Sequence, residues 1–383
     1  DTTALHARRS NACLTTAANN HPNCLQMNTL TNYTLRIIAG ANVATIIAMI
    51  AVGYSDHINP ASHPLLANVG LAFPVFLLLN IAFLVFWLCV RKRWAVIPFG
   101  GLVVGFMPIR VYSPLNIRAD APEGSIKLMQ YNVYGFNEWK DTNEPSEIIE
   151  YVKRQKPDIL CMEEMPGGEK KELINKALAP TLAYNDTIDN GSITIYSKFP
   201  IVGHERIPYH SDSNNMSGAF FVLTAPKDTT IVIANHLEVT GLSLEQRAQF
   251  KAMLKGKMQK DSVEIETKAI WRRLAESAKV RAPQADAVAR YIQRHKGKSI
   301  ILMGDFNDSP ISYVRRRIAE ELTDCYVATA NGPGISYHYS GFYVRIDNIF
   351  CSDHWMPYGC HVDNSIKASD HYPIDCLMKR RGN

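Results

Sequence analysis

The run Ile300-Ile301-Leu302-Met303 stops on Gly304-Asp305-Phe306-Asn307, so an apolar strand delivers an aspartate and an asparagine two positions apart. The strand period of two turns both side chains to one side, where their oxygens can hold a water or a hard cation between them. Taken alone, the competing reading is an Asp/Asn turn that closes a buried strand. The motif has company, however. Asn132, Glu164, His236, Asp347, Asp370 and His371 are also polar, and most of them follow apolar runs. Acid, amide and imidazole groups gathered at strand ends point to one convergent site. Carboxylate and amide oxygens suit Mg²⁺ or Mn²⁺ and metal-assisted phosphoryl hydrolysis, while the lack of a Cys/His ligand cluster argues against structural zinc.

Strands and helices must carry these groups together. From Ser125 onward the chain alternates strand-like and helix-like patterns, as in a layered α/β domain. Strands are expected at 126–133, 159–162, 192–197, 201–207, 218–224, 230–234 and 300–303, near 345–350, and after 369–374. Helices are expected at 144–155, 169–178 and 312–322. The segment 244–278 is charged and helix-prone, and Ala282-Pro283 is expected to restart a helix that runs to His295. This excursion leads from His236 back to the core and is expected either to rim the cleft or to form a peripheral helix pair.

The 383 residues are too many for one ordinary domain. Nearly continuous apolar runs at 35–54 and 66–90, and a shorter one at 94–110 broken by Pro98, Gly100, Gly101 and Gly105, predict about three membrane spans in an all-α membrane domain, 35–112. A polar N-terminal extension, 1–34, precedes it. Its first 26 residues lack a starting methionine and an apolar signal core, leaving Met27 as a candidate start. A linker, 113–124, leads to the soluble domain, 125–383. Arg91-Lys92-Arg93 marks a cytoplasmic loop, whereas 55–64 has no Lys or Arg. Three spans then place the soluble domain on the extracytoplasmic side of a bacterial-type membrane, and a third run that fails to cross inverts this.

The net charge of +5 lies in the membrane part: residues 1–112 hold seven basic and two acidic side chains, and the rest holds 34 of each sign. The basic pI is therefore no evidence for a polyanionic partner. Cys161, Cys325, Cys351, Cys360 and Cys376 show no C-x-x-C spacing, so neither zinc nor a disulfide framework is indicated. Cys351 and Cys360 are the pair an oxidising compartment would join; unpaired burial is the favoured state.

Gln130-Tyr131-Asn132, Asp158 to Glu164, Asn235-His236-Leu237, Gly304-Asp305-Phe306-Asn307, Arg345-Ile346-Asp347 and Ser369-Asp370-His371-Tyr372-Pro373-Ile374 resemble, in order, the signature of the endonuclease/exonuclease/phosphatase (DNase I-like) family. The resemblance covers about 125–380 and implies a four-layer α-β-β-α sandwich of two mixed sheets with the site at one sheet edge. It also implies roles. Glu164 would be the principal metal ligand, with Glu163 as its competitor, assisted by Asn132 and by Asp370, whose alternative role is to brace a loop. Asp305 would orient and deprotonate water, and Asn307 would contact phosphate or that water. His371, held by Asp347, would donate to the phosphoryl oxygens or act as the acid on the leaving group. His236 would be a second phosphate donor, and Arg345 would touch substrate or cap a strand. Tyr134 stands where some family nucleases carry an acid.

The leading expectation is a membrane-anchored, Mg²⁺-dependent phosphoesterase acting on a phospholipid head group, a small phosphoester or nucleic acid; no protein partner is inferable. The alternatives are an endonuclease, and a membrane receptor or scaffold that keeps the fold without catalysis.

Overall fold

The computed structural model describes residues 22–189, 191–226, 228–257 and 260–382. Most of the expected extension, residues 1–21, lies outside them. Twelve strands are present among the described residues: β1 (Ile126–Asn132), β2 (Ile159–Glu163), β3 (Tyr184–Thr187), β4 (Thr194–Ser197), β5 (Ile201–Ile207), β6 (Ser217–Ala225), β7 (Asp228–His236), β8 (Ile300–Asp305), β9 (Thr323–Asp324), β10 (Asp347–Cys351), β11 (Trp355–Val362) and β12 (Ile374–Arg380). The helices are α1 (Pro22–Gly53), α2 (Pro64–Ala67), α3 (Phe73–Val90), α4 (Val96–Val104), α5 (Phe106–Tyr112), α6 (Glu147–Gln155), α7 (Gly168–Leu178), α8 (Leu244–Leu254), α9 (Lys260–Arg294), α10 (Tyr313–Ala319) and α11 (Cys325–Thr329).

One six-stranded sheet runs β11-β12-β1-β2-β4-β3 and the other β5-β6-β7-β8-β10-β9. Each has a parallel pair at its centre, β1–β2 and β7–β8, among antiparallel neighbours. Alternation along the strands sorts the side chains into layers. Leu128, Cys161, Val232, Ala234, Ile301, Met303, Ile349 and Ile374 fill the space between the sheets. Met129, Tyr131, Leu160 and Met162 turn outward onto Ile148 and Val152 of α6 and Ile174 of α7. Ile231, Ile233, Ile300 and Leu302 turn outward onto Val288 and Ile292 of α9 and Val314 of α10. This is the four-layer α-β-β-α sandwich of the DNase I-like fold.

Several elements depart from expectation. The helix expected at 144 begins at Glu147, because the Ser146 side chain accepts from the Ile149 amide and caps it. α9 runs through Pro283 without a restart. Its buried stripe of Ala275, Ala278, Ala282, Ala285 and Val288 outweighs one missing backbone bond. β3 and β11 were not expected. β3 is a half-exposed strand with Asn and Asp, and β11 carries Pro357 and Gly359, which only an edge position tolerates.

The chain divides into two compact units. One comprises α1 as far as Met49 together with Phe76–Val104. Within it, Trp87 Nε1 donates to Asn42 Oδ1 (3.3 Å) and Asn42 Nδ2 to Asn80 Oδ1 (3.4 Å), a polar contact between apolar helices. The segments 31–57 and 64–90 are helical, long and apolar enough to cross a membrane, and 92–104 with 106–112 passes the same test only as a pair bent by 65° at Gly105, the form of a broken span or a re-entrant loop. The second unit is Ile50–Val75 with Gly105–Asn383. Residues 50–75, expected to be span ends and a bare linker, thus pack as part of the body that carries the sheets. Gly70 is why they fit: a Cβ there would stand 2.1 Å from the Ile311 carbonyl oxygen.

Candidate active site

The alternation that builds the inter-sheet core also builds the site. Continuing Leu128 by twos along β1 gives Gln130 and Asn132; Cys161 leads to Glu163, Ala234 to His236, Met303 to Asp305, and Ile349 back to Asp347. The polar groups are therefore the end of the core layer, where the space between the sheets opens. Register then sets His236, Asp305 and Asp347 in a row, since His236 pairs with Asp305 and Asp305 with Asp347. The site lies where the central strands of the two sheets end. Gly304 permits this approach: a Cβ there would come within 1.9 Å of the Asn235 carbonyl oxygen.

The contacts form one chain of groups. Gln130 Nε2 donates to Glu163 Oε2 (2.8 Å) and to Asp347 Oδ1 (2.7 Å). Asp347 Oδ2 accepts from His371 Nδ1 at 2.8 Å, and His371 Nε2 stands 3.7 Å from Asp305 Oδ2. Asn132 Nδ2 lies between Asp305 Oδ2 (3.2 Å) and Glu164 Oε1 (3.0 Å), and His236 Nε2 is 3.8 Å from the same Glu164 oxygen. Asn307 donates its backbone N–H to Asp305 Oδ1 (2.7 Å) and its Nδ2 to the Leu237 carbonyl (3.0 Å). Tyr134, Glu164 and Asn307 all adopt left-handed backbone (φ 46°, 55° and 51°), strain of the kind held at functional sites.

Burial and charge set the protonation. Asp305 is pushed up to about 8 by burial and by the facing Asp347 carboxylate, against the pull of His371. Burial alone would lower His371, but Asp347 and Asp305 outweigh it and raise the imidazole to about 10. It is therefore a cation at neutral pH. Burial lowers His236 despite Glu164, leaving its ring neutral, and its buried Nε2 has no hydrogen-bond partner. Burial raises Asp370.

A cavity of about 220 Å³ opens over Glu164, Asp305, Asn307, Asp370 and His371. Glu163, the competing ligand, is fully buried on Gln130 and Cys161, so Glu164 is the glutamate that faces the cleft. His236 lines an adjoining pocket on the other side of Glu164. Arg345 is not brought to either. It is 2% exposed, and its guanidinium donates to the carbonyls of Val111 (2.6 Å) and Pro333 (2.6 Å) and lies over the Tyr326 ring. It fastens the C-terminal end of α5 and does not contact the cleft. Arg247 and Tyr337, which line the cavity and hydrogen-bond each other, carried no sequence motif. Leu242, Arg247 and Leu274 place the 244–278 excursion and its approach on the cleft rim.

The residues fit a divalent cation. Asp305, Asp347 and His371 offer ligand atoms within 4.8 Å of one another. Asp347 and His371, however, already satisfy each other. A second group of oxygens converges at Asn132, whose amide nitrogen serves the Glu164 and Asp305 carboxylates while its Oδ1 accepts from the Tyr134 amide (3.2 Å). Asp370 lines the cavity beside them, and its Oδ1 accepts from its neighbour Ser369 Oγ (3.4 Å).

A family model described as Endonuclease/Exonuclease/phosphatase family matches residues 129–371, and the chain belongs to that family, whose members are generally metal-dependent phosphoesterases. A second model, Domain of unknown function (DUF8431), matches residues 35–112. No curated protein matches the sequence. Solved structures similar to the chain include the human Nocturnin catalytic domain with bound sulfate (17% identity, 69% of this chain and 96% of that one, TM-score 0.47). Others are humanized D. rerio TDP2 (15%, 67% and 99%, 0.46) and an endonuclease/exonuclease/phosphatase from Bacteroides vulgatus (14%, 68% and 100%, 0.45).

Proposed function

We propose that the chain is a membrane-anchored phosphoesterase that hydrolyses a phosphodiester or phosphomonoester by attack of water, using Mg²⁺ or Mn²⁺ held by Glu164 and Asn132, with Asp370 beside them. The observation that carries this reading is His371 poised between Asp347 and Asp305 at the floor of an open cavity. Asp305, once ionised, takes a proton from the attacking water as the new P–O bond forms and the P–O bond to the leaving alcohol breaks. His371 stands on the same side as Asp305, whereas an in-line leaving group departs opposite the nucleophile. His371 therefore donates to a phosphoryl oxygen, and the leaving alkoxide is protonated from solvent. Asn307 holds the water or phosphate, and neutral His236 donates to a phosphate oxygen from the far side of Glu164. The bound cation supplies charge neutralisation at the phosphoryl oxygens. Incubating the purified full chain with phosphomonoesters and phosphodiesters, with and without Mg²⁺ or Mn²⁺, tests this. Hydrolysis that is lost in Asp305→Ala and His371→Ala is expected, and full activity in both variants overturns it.

The proposed topology puts the catalytic body outside. Its support is that 50–75 and 105–383 form one unit. Trp271 Nε1 donates to the Leu65 carbonyl (3.0 Å), and Asn59 Nδ2 to Tyr313 Oη (3.4 Å). These contacts support placing the linker after the first span and the domain after the last on one side of the bilayer, with the broken third segment crossing it. Arg91-Lys92-Arg93 then lies on the opposite, cytoplasmic side.

A further inference from the structure

The cavity wall has a contribution from outside the family domain. Asn68 and Leu71, from the linker that precedes α3, line it together with Leu242, Leu274, Phe342 and Ile346. Asn68 is 5% exposed, and its Nδ2 has no hydrogen-bond partner, a donor whose burial is costly unless something in the cavity accepts from it. The five apolar neighbours can take no part in phosphoryl chemistry. They form an apolar flank beside Asp305 and His371, in a cavity that Arg247, Arg281 and Asp308 also line, and an apolar chain can lie against it. Leu71 is also two residues from the start of α3, an apolar helix of 18 residues. Asn68 and Leu71 fall within 64–90, the second segment long and apolar enough to cross a membrane, so one wall of the flank belongs to a proposed span.

We propose that the linker is a substrate-binding wall and that the substrate is a phospholipid taken from the bilayer, its apolar arm lying against Leu71, Leu242, Leu274 and Phe342. Asn68 Nδ2 donates to an oxygen near the ester. The inference rests on the phosphoesterase reading and names its substrate class. The step is the hydrolysis above: water adds to phosphorus, one ester P–O bond breaks, and the products are a phosphomonoester and an alcohol.

The test uses the full chain with two substrates at one Mg²⁺ concentration. One is vesicles of phosphatidylcholine, phosphatidylethanolamine and phosphatidylglycerol in equal parts, and the other is soluble bis(p-nitrophenyl) phosphate. Turnover of both is expected, with the lipid-to-soluble ratio of kcat/KM falling about tenfold or more in Leu71→Asp and in Asn68→Leu, and held in Leu71→Met. The Asn68→Leu variant keeps the volume of the side chain, so it provides a reading should Leu71→Asp fail to fold. Turnover of the soluble diester alone overturns the lipid assignment and leaves the phosphoesterase standing. An unmoved ratio in the variants overturns the wall. No turnover of either substrate overturns the lipid assignment, and the phosphomonoesters of the assay above then decide the phosphoesterase reading.

Discussion

Asp347 Oδ2 lies 2.8 Å from His371 Nδ1, and this bond fixes the ring with its Nε2 toward Asp305. Asp347 therefore does two things: it orients the imidazole and, with Asp305, keeps it charged.

A pH profile reads that arrangement. Hydrolysis needs Asp305 ionised and His371 protonated. The rate rises as pH climbs through the Asp305 value, which a neighbouring cation would draw down from its cation-free level, and falls as pH passes the elevated His371 value. Asp347→Asn removes a charge that raises both groups. Both limbs of kcat/KM against pH should move to lower pH, and an unmoved profile would contradict the assigned role.

Metal binding separates the two candidate cradles. Glu164→Gln is expected to weaken Mg²⁺ or Mn²⁺ binding by about tenfold or more, read by calorimetric titration, while His371→Asn leaves it within a few-fold. The reverse order would move the cation to the Asp305, Asp347 and His371 cluster.

Gly304 and Gly70 make stability predictions. Gly304→Ala drives a Cβ into the Asn235 carbonyl at a left-handed φ of 150°, and should cost at least about 2 kcal/mol in chemical denaturation. Gly70→Val should lift the linker off Ile311 and open 55–72 to limited proteolysis, with the sheets still folded.

Topology can be tested at Ile117, which is 98% exposed just after the last apolar segment. In intact cells a membrane-impermeant maleimide should label Ile117→Cys above the parent chain and should not label Lys92→Cys. Labelling of Lys92→Cys alone would put the catalytic body inside.

The core of the site was legible in the sequence because strand alternation is local. Once Ile301 and Met303 are inward, Asp305 must follow them, and the same holds for Asn132 and His236. Glu163 and Glu164 could be told apart only by where β2 ends: Glu163 is the last strand residue, turned into the core, and Glu164 begins the turn. Arg345 misled because it adjoins a site motif yet precedes β10, where alternation does not yet hold, and the α5 carbonyls and Tyr326 capture it. Arg247, Asn68 and Leu71 left no local trace. They reach the cleft from α8 and from the linker before α3, through packing that no short motif encodes.

The central claim is that Asp305 at the end of β8 is the base of a phosphoester hydrolase. The most direct measurement is the Mg²⁺-dependent rate of bis(p-nitrophenyl) phosphate hydrolysis by the full chain and by Asp305→Asn, with the circular dichroism spectrum as the folding control. A loss of about 10²- to 10⁴-fold in kcat with an unchanged spectrum is expected; equal rates from the two folded proteins would contradict it.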